Sequence, residues 1–272
     1  MWGTASSRLE LLDQAVEAGD LRTRPPLYFS PASKGLVVAS VDFSQLTAII
    51  TTSDRPKNLR RLVRSAKRLY PQLQILVADD GLVPAPDTSA NHLRLPVGVG
   101  RSAACNALLA RIRTRYFLLL DDRCELHRDT RLERLLQLVA EDKLDLAAGD
   151  LTGCLRKFWL HVRRSPQPGH GLLDFDGDHL TLTPGHRTIG DGFLWCDLVH
   201  NFYIARTDKV RSLGGWDPEL KMDEREEFFV RAHRQGLRVG LAPDVNAWVW
   251  TEPMEEPLHD LKSLAVAKMG VT

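Results

Sequence analysis

The strongest constraint on the fold is a short apolar run that ends abruptly on charged residues, Tyr116-Phe-Leu-Leu-Leu-Asp-Asp-Arg123. An apolar run of this length, closed by charge, predicts a strand that is buried on both faces of a sheet. A second run, Gln74-Ile-Leu-Val-Ala-Asp-Asp-Gly81, ends in the same way. Ligands bind at the carboxyl ends of strands in open α/β sheets. Two strands that end on paired acids therefore predict a site for a polyhydroxylated or cation-bearing ligand at one sheet edge.

The rest of the pattern alternates strands with helices, which predicts an α/β fold with a mostly parallel central sheet flanked by helices. Predicted strands cover residues 46–51, 74–78, 91–97, 116–120 and 199–205, and predicted helices cover 59–69, 103–113, 130–140 and 224–234. Residues 164–195 are rich in Gly, Pro, His and Asp, so we expect a long loop there.

Length and composition favour one large domain with extensions, since the chain has 272 residues of which 43% are apolar. We expect an N-terminal extension with a short helix over residues 1–45, the main domain over 46–252 and a tail over 253–272. The net charge of +1 points to no class of partner. The sequence shows no run of eighteen apolar residues and no signal-peptide pattern, so we expect a cytoplasmic protein.

The cysteines and histidines do not predict a metal site. Cysteines 105, 124, 154 and 196 lack metal-ligand spacing, and we interpret them as reduced core residues. The nine histidines are scattered without a zinc motif. The acidic segment Asp174-Phe-Asp-Gly-Asp178 lacks the closing glutamate of a calcium loop, which favours a surface turn.

A basic stretch lies on the first predicted helix and just before it. Its members are Arg55, Lys57, Arg60, Arg61, Arg64, Lys67 and Arg68. Such a stretch is compatible with nucleic acid or an anionic membrane, but a solvated outer helix face is the simpler interpretation, and we expect no nucleic-acid partner.

The segment Gly98-Val-Gly-Arg-Ser-Ala103 matches a dinucleotide-binding fingerprint, with acids on the next strand about twenty residues later. Under this NAD(P) alternative, Arg123 would favour a 2′-phosphate. Pro96 and the two α/β units that precede the segment argue against it.

A nucleotide-sugar site is the other interpretation. Asp79, Asp80, Asp121 and Asp122 can accept hydrogen bonds from base or ribose, or hold a metal. Glu226 and Glu227 directly precede Phe228-Phe229, which must face the core. An acid beside a buried face can have a raised pKa suited to a general base.

With these residues in place, the chain resembles the GT-A glycosyltransferases, and most closely the β-1,4-N-acetylgalactosaminyltransferases of ganglioside synthesis. The resemblance covers about residues 46–250. It is carried by Val199-His-Asn-Phe-Tyr-Ile-Ala-Arg-Thr-Asp-Lys-Val-Arg211, Trp216-Asp-Pro218, Glu227-Phe-Phe229, Thr130-Arg-Leu-Glu-Arg-Leu135 and Ala78-Asp-Asp80.

The resemblance implies inverting transfer of GalNAc or a similar hexose from a UDP-sugar to a hydroxyl of a glycan or glycolipid. Glu227, with Glu226 beside it, is then the base candidate, and Asp197 and Asn201 lie on the acceptor or donor-sugar side. The expected nucleotide-binding residues are Thr52, Arg55, Asp79, Asp80, Arg101, Asp121, Asp122 and Arg123. The expected partners are the nucleotide-sugar and a glycan or lipid-linked acceptor, with peripheral membrane contact.

Two departures from the family pattern concern the metal. The family has three consecutive acids where this chain has Asp121-Asp122-Arg123, and an Asp-His pair that we align to Trp248-Val249. We therefore predict a transferase that works without a divalent metal, with Arg123 beside the diphosphate. A weak metal site on Asp122 and a non-catalytic nucleotide- or glycan-binding protein are the alternatives. Cys105 also replaces a family arginine, and Arg101, one helical turn earlier, is expected to compensate.

Overall fold

A computed structural model of the chain describes residues 42–157, 161–167, 169–221, 224–250 and 268–269. The predicted N-terminal extension and C-terminal tail lie almost entirely outside these residues. The strands are β1 (Leu46–Thr52), β2 (Gln74–Asp79), β3 (Asn91–Arg94), β4 (Tyr116–Asp121), β5 (Cys124–Glu125), β6 (Leu146–Lys157), β7 (His161–Gln167), β8 (Gly171–Asp176), β9 (His179–Pro184), β10 (Leu194–Trp195), β11 (Phe202–Arg206) and β12 (Val239–Trp250). The α-helices are α1 (Pro56–Leu69), α2 (Arg101–Leu109), α3 (Leu132–Ala140), α4 (Thr207–Ser212) and α5 (Glu224–Arg234).

The main sheet has the strand order β10-β12-β6-β11-β4-β1-β2-β3 in the described part of the chain. Strands β3, β2, β1 and β4 are parallel neighbours, and β12 is parallel to β6. Strand β11 is antiparallel to both β4 and β6, so β6 and β12 run in the same direction as β4. The carboxyl ends of six strands therefore meet at one edge, and the predicted mostly parallel sheet is confirmed.

Strand β4 shows why the sheet is covered on both faces. All six of its residues are buried, and successive side chains point to opposite faces. Leu118 and Leu120 pack with α1 and α3, whereas Phe117 and Leu119 pack with α2, α4 and α5. Helix α1 has its apolar side against the sheet through Leu59, Leu62, Val63 and Ala66, which leaves its basic side outward.

The segment predicted as a long loop, residues 164–195, contains strands instead. Strands β8 and β9 form a hairpin whose turn lies between Asp176 and His179. Gly177 at this turn has φ +59°, a backbone conformation that glycine adopts without strain. The Asp-Gly pair is a hairpin signal, and the high content of polar residues obscured it. The prediction that residues 174–178 form a surface turn, and not a calcium loop, agrees with this hairpin.

Two further sequence features have clear outcomes. All four cysteines are buried and free, which agrees with their prediction as reduced core residues. Among the described helices, none combines the length and apolar character needed to span a bilayer.

Candidate active site

A cavity of about 410 Å³ lies at the sheet edge where the carboxyl ends of the parallel strands meet. Strand β4, the first turns of α2 and α5, the residues before β11 and the end of β12 all contribute to it. Its lining residues are Arg101, Asp121, Arg123, Leu151, His200, Asn201, Glu224, Arg225, Glu226 and Val249. The cavity therefore brings together residues that are up to about half the chain apart in sequence.

Two arginines bind the Asp121 carboxylate at the floor of the cavity. Arg123 donates from Nε to Oδ1 at 2.8 Å and from Nη2 to Oδ2 at 2.9 Å. Arg101 donates from Nη2 to Oδ2 at 2.9 Å. Burial alone would raise the pKa of Asp121, but the two guanidinium groups outweigh it and hold that pKa well below its usual range. Asp121 thus serves to position two cations that line the cavity.

Asp122 points to a different set of partners. Its Oδ2 accepts a hydrogen bond from Thr52 Oγ1 at 2.8 Å, and Arg55 Nη1 lies 3.5 Å from its Oδ1. Burial, together with the negative charge of Asp121, raises the pKa of Asp122 to about 6. Asp122 therefore contacts two other predicted nucleotide-binding residues, Thr52 and Arg55, and none of the three is among the cavity-lining residues.

Glu224 is the buried carboxylate of the cavity. It is only 2% exposed and stands at the first position of α5. Asn201 Nδ2 lies 3.4 Å from its Oε1, and Arg101 Nε lies 3.8 Å from the same atom. Its Oε2 is buried and has no hydrogen-bond partner among the described residues. Burial raises the pKa of Glu224 above its usual value.

The two predicted catalytic glutamates occupy different positions. Glu226 lines the cavity and is paired with Arg225, whose Nε lies 3.0 Å from its Oε1. Glu227 is not among the cavity-lining residues, and Arg231 binds both of its carboxylate oxygens. Arg231 also donates to the carbonyl oxygens of residues 213 and 215. The geometry around Glu227 therefore indicates a helix-anchoring ion pair and does not favour a base.

Asp79 and Asp80 organise the loops that follow β2. Asp79 accepts hydrogen bonds from the backbone N–H groups of Gly81 and Ala85 and is paired with Arg94. Asp80 accepts a hydrogen bond from Gly100 N at 2.9 Å and thereby fixes the start of α2. Both side chains are buried, and neither lines the cavity.

Asn201 and Asp197 are both predicted to lie on the acceptor or donor-sugar side of the site, but only Asn201 lines the cavity. Asn201 lines the cavity beside Glu224, just before β11 begins. Asp197 is bound by Arg187 at 2.7 Å and lies 3.2 Å from His233 Nδ1. It also accepts a hydrogen bond from Leu173 N, so it joins the β8–β9 hairpin to α5 and is not part of the cavity lining.

The carboxylates of Asp121 and Asp122 at this edge are already paired with other side chains. Oxygen ligands from several uncommitted groups are required for magnesium or manganese. Here the Asp121 carboxylate is occupied by two guanidinium groups, and the position after Asp122 is the cation Arg123. Among the described residues, no three His, Cys, Asp or Glu side chains are grouped to hold a metal.

Glu224 lines the cavity but is not among the site residues predicted from the sequence. A usable signal was present, because Glu224 lies four residues before Phe228 and so shares its side of the helix. The predicted base candidates, Glu226 and Glu227, are instead the acids nearest in sequence to the two phenylalanines. Adjacent residues on a helix point in directions about 100° apart, which makes the four-residue spacing the better guide.

A known protein family matches more than half of this chain. The family profile "Glycosyl transferase family 2" matches residues 47–194. The rat Beta-1,4 N-acetylgalactosaminyltransferase 1 is 34% identical over 233 residues, which cover 81% of this chain and 42% of the relative. The mouse Beta-1,4 N-acetylgalactosaminyltransferase 2 is 30% identical over 224 residues, which cover 80% and 42% respectively. The chain thus spans about two fifths of the length of the curated relatives that it matches.

Solved structures share the fold at low identity. The structure of GalNAc-T7 with UDP, GalNAc and Mn²⁺ aligns with a TM-score of 0.64 at 14% identity, over 82% of this chain and 47% of that one. The structure of S. aureus TarS 1-349 with UDP-GlcNAc aligns with a TM-score of 0.58 at 14% identity, over 82% of this chain and 66% of that one. These alignments confirm the predicted fold class.

Proposed function

The chain belongs to glycosyl transferase family 2, and from that premise we propose that it transfers a sugar from a UDP-sugar to a hydroxyl group of a glycan or glycolipid. The named activity of the 30–34% identical relatives supports GalNAc as the donor sugar. The UDP and UDP-GlcNAc bound in fold neighbours support a uridine nucleotide. A glycolipid acceptor would bring the protein to a bilayer surface, so peripheral membrane contact is part of this proposal.

The proposed reaction is an inverting displacement with Glu224 as the base. The acceptor oxygen attacks the anomeric carbon, the bond from that carbon to the diphosphate oxygen breaks, and the hydroxyl proton passes to Glu224. The observation that carries this assignment is the buried Oε2 of Glu224, which faces no partner in the described residues of the cavity. An ionised carboxylate with a free oxygen and a raised pKa can accept a proton from a hydroxyl group in the transition state.

Arg123 and Arg101 would stabilise the leaving diphosphate. Guanidinium groups match phosphate oxygens with paired, charge-assisted hydrogen bonds, and Asp121 holds both groups toward the cavity. This arrangement supports transfer without a divalent metal, because two fixed cations already stand where negative charge develops. The weak-metal alternative would have to use Asp122, whose carboxylate is engaged by Thr52 and Arg55.

The dinucleotide alternative has little geometric support. In dinucleotide-binding folds the glycine-rich turn follows the first central strand of the sheet. Here the segment from Gly98 follows β3, the edge strand of the sheet order. The cytoplasmic location stays a prediction from the sequence alone.

Replacing Glu224 by glutamine tests the proposal. We expect Glu224→Gln to lower the rate of UDP release from UDP-GalNAc, in the presence of glycan or glycolipid acceptors, by roughly 10²–10⁴-fold, because general-base assistance is lost. UDP affinity, measured by calorimetry, should stay within a few-fold of the parent protein. The matched control is Glu226→Gln on the same helix, whose carboxylate is paired with Arg225 and is expected to matter little.

Each other outcome has a defined meaning. Unchanged turnover in Glu224→Gln would contradict the base assignment. UDP binding without turnover in the parent protein, across all acceptors, would favour the non-catalytic binding alternative.

A further inference from the structure

Helix α1 presents a second cavity, which shares no lining residue with the candidate active site. This cavity measures about 440 Å³, and five basic side chains line it: Lys57, Arg60, Arg61, Arg64 and Arg68. The fourteen residues of α1 include no aspartate or glutamate. The whole chain has a net charge of only +1, so positive charge is concentrated on this face.

Little negative charge offsets this cluster. Among the described residues that line the cavity, Glu125 is the one acid, and its Oε2 accepts a hydrogen bond from Trp250 Nε1 at 2.7 Å. Within the described part of the chain, Arg60, Arg64 and Arg68 have no carboxylate partner. These three arginines, held on one helix, create a local positive potential, which attracts an anionic surface.

Two tryptophans extend the basic surface along the end of β12. The Arg61 guanidinium lies 4.5 Å from the ring centre of Trp250, and the Arg164 guanidinium lies 4.4 Å from that of Trp248. Both tryptophans are partly exposed and, being two residues apart on a strand, point to the same side. Tryptophan rings next to arginine and lysine are typical of surfaces that sit at the headgroup level of a membrane.

This surface is connected to the candidate active site through β5 and β12. Val249 lines the active-site cavity, and the next residue, Trp250, contacts Arg61 of α1. Trp250 N also donates to the carbonyl oxygen of Arg123 at 3.0 Å. Trp250 is therefore joined through the backbone to one of the two residues proposed to hold the diphosphate.

We propose that Lys57, Arg60, Arg61, Arg64, Arg68, Trp248 and Trp250, hereafter the basic face, dock the protein on an anionic lipid bilayer. The charge complementarity of five clustered cations and the bordering indole rings carry this assignment. Its use, to meet a glycolipid acceptor in the bilayer, rests on the proposed function, but the docking itself does not. Each basic residue near an anionic surface contributes about 1 kcal/mol, so three of them correspond to about a hundredfold in partitioning.

The test measures flotation of the full chain with two kinds of vesicle, phosphatidylcholine mixed with phosphatidylserine and phosphatidylcholine alone. The parent protein should bind the mixed vesicles, and added salt should weaken this binding because it screens exposed charge. The triple variant Arg60→Gln/Arg64→Gln/Arg68→Gln should bind them about a hundredfold more weakly. All three side chains are exposed, so the fold should persist, which circular dichroism checks.

The matched control removes three exposed cations from the connection between α2 and β4, which packs on the other face of the sheet. Arg111, Arg113 and Arg115 are all exposed, and their triple glutamine variant has the same net charge as the test variant. It should bind mixed vesicles as the parent protein does. Equal loss in both triple variants would overturn the proposal, since net charge alone would then explain binding.

A second variant separates a diffuse membrane surface from a shaped phosphate site. Arg60→Lys/Arg64→Lys/Arg68→Lys keeps the charge and removes the paired guanidinium geometry, so it should retain vesicle binding. Loss of vesicle binding in the lysine variant, or no binding of the parent protein to mixed vesicles, would overturn the membrane assignment. So would tighter binding of the parent protein to duplex DNA or RNA than to vesicles at the same salt concentration.

Calorimetric UDP binding on the same proteins keeps the two proposals apart. Vesicle binding that depends on the basic face, with no UDP binding or turnover in any variant, would leave the docking surface standing and remove the proposed enzymatic function.

Discussion

A single carboxylate, Asp121, has a role that its position in the sequence does not suggest. Acids at the end of a buried strand are natural candidates for a metal, yet this one is occupied by two guanidinium groups. The pair of cations it holds can interact with a diphosphate directly. Arg123 is therefore the residue at which the chemistry of this site departs most from a metal-binding pattern.

The pH dependence of turnover tests Glu224 as the base. A carboxylate base works only when ionised, and burial raises the pKa of Glu224 above its usual value. We expect activity to fall as pH falls through this raised pKa, on an acidic limb at higher pH than an exposed glutamate would give. The measurement is the rate of UDP release against pH at saturating donor, with Glu226→Gln as the control that should keep the limb.

The same pKa shift makes a prediction of opposite sign for stability. A folded-state pKa above the unfolded value means that the folded protein binds the proton more tightly. The contribution of Glu224 to the free energy of unfolding is thus greatest at low pH and decreases as pH rises through the raised pKa. The measurement is urea denaturation of the parent protein and of Glu224→Gln across the pH range of the acidic activity limb. If the free energy of unfolding of the parent protein instead increased as pH rises through that range, and Glu224→Gln removed the increase, the assignment would be contradicted.

For single residues, the sequence predicts which edge of the sheet holds the site better than it predicts the contacts of each side chain. The spacing of acids at the ends of β2 and β4 placed Asp121 and Arg123 correctly at one edge of the sheet. It could not show that Asp79 and Asp80 turn toward loop N–H groups, or that Glu227 is bound by Arg231. Those partners come from segments far along the chain, so only tertiary structure brings them into contact.

Among the elements, the turn into α2 positions Arg101. Gly100 has φ +88° and ψ 164°, and its N–H donates to Asp80. Side-chain-bearing residues rarely adopt this conformation. A Cβ on Gly100 would also lie 2.8 Å from Lys221 Cα, which is backbone and cannot rotate away.

We therefore expect Gly100→Ala to destabilise the protein by more than Gly98→Ala. Gly98 also has positive φ, at +70°, but a Cβ there meets no atom within 4 Å. The Gly98 variant should lose about 1 kcal/mol of unfolding free energy from backbone strain alone. The Gly100 variant adds a steric clash and should lose about 1–3 kcal/mol more. Urea denaturation measures both, and equal losses would mean that the contact with Lys221 has no energetic consequence.

Helices and strands with a clear hydrophobic pattern can be predicted from the sequence, and those without one cannot. Strand β4 and helix α1 were predicted closely, because a continuous apolar run and a one-sided apolar stripe each specify one structure. The β8–β9 hairpin was missed, since its strands are largely exposed and provide little apolar alternation. The boundary at the start of α2 differed by two residues, because it is set by Gly100 and not by hydrophobicity.

For the molecule as a whole, the resemblance predicted from sequence is confirmed by the family profile and by relatives that are 30–34% identical. The order of the sheet explains how a fold of this kind collects its site. Strands β1, β4, β6 and β12 end at the same edge, and the antiparallel β11 begins there, which brings Asn201 beside the acids and arginines. Because β11 is antiparallel to its neighbours, the turn before it lies at the edge where the parallel strands end. Residues of this turn therefore join the site.

Metal removal tests the charge arrangement of the whole site. If Arg101 and Arg123 stand in for a cation, UDP should raise the melting temperature equally in manganese and in EDTA. A ligand at about a hundred times its dissociation constant adds about 2.7 kcal/mol, which corresponds to roughly 5–10 °C for a domain of this size. The measurement is a thermal melt at fixed UDP concentration under both conditions.

Arg123→Ala sharpens this test, because it removes one of the two cations while Asp121 keeps Arg101. Charge-assisted hydrogen bonds of this type contribute about 1.5–3 kcal/mol, so UDP affinity should fall by about 10–100-fold. At the same UDP concentration, about half or more of the UDP-induced shift should then disappear relative to the melting temperature of the free variant. If manganese restored the shift in Arg123→Ala, the edge would still hold a cation site on Asp122. A shift in the parent protein that requires manganese would show that the arginines do not replace the metal, since in that case the fixed cations alone would be too weak to hold the diphosphate.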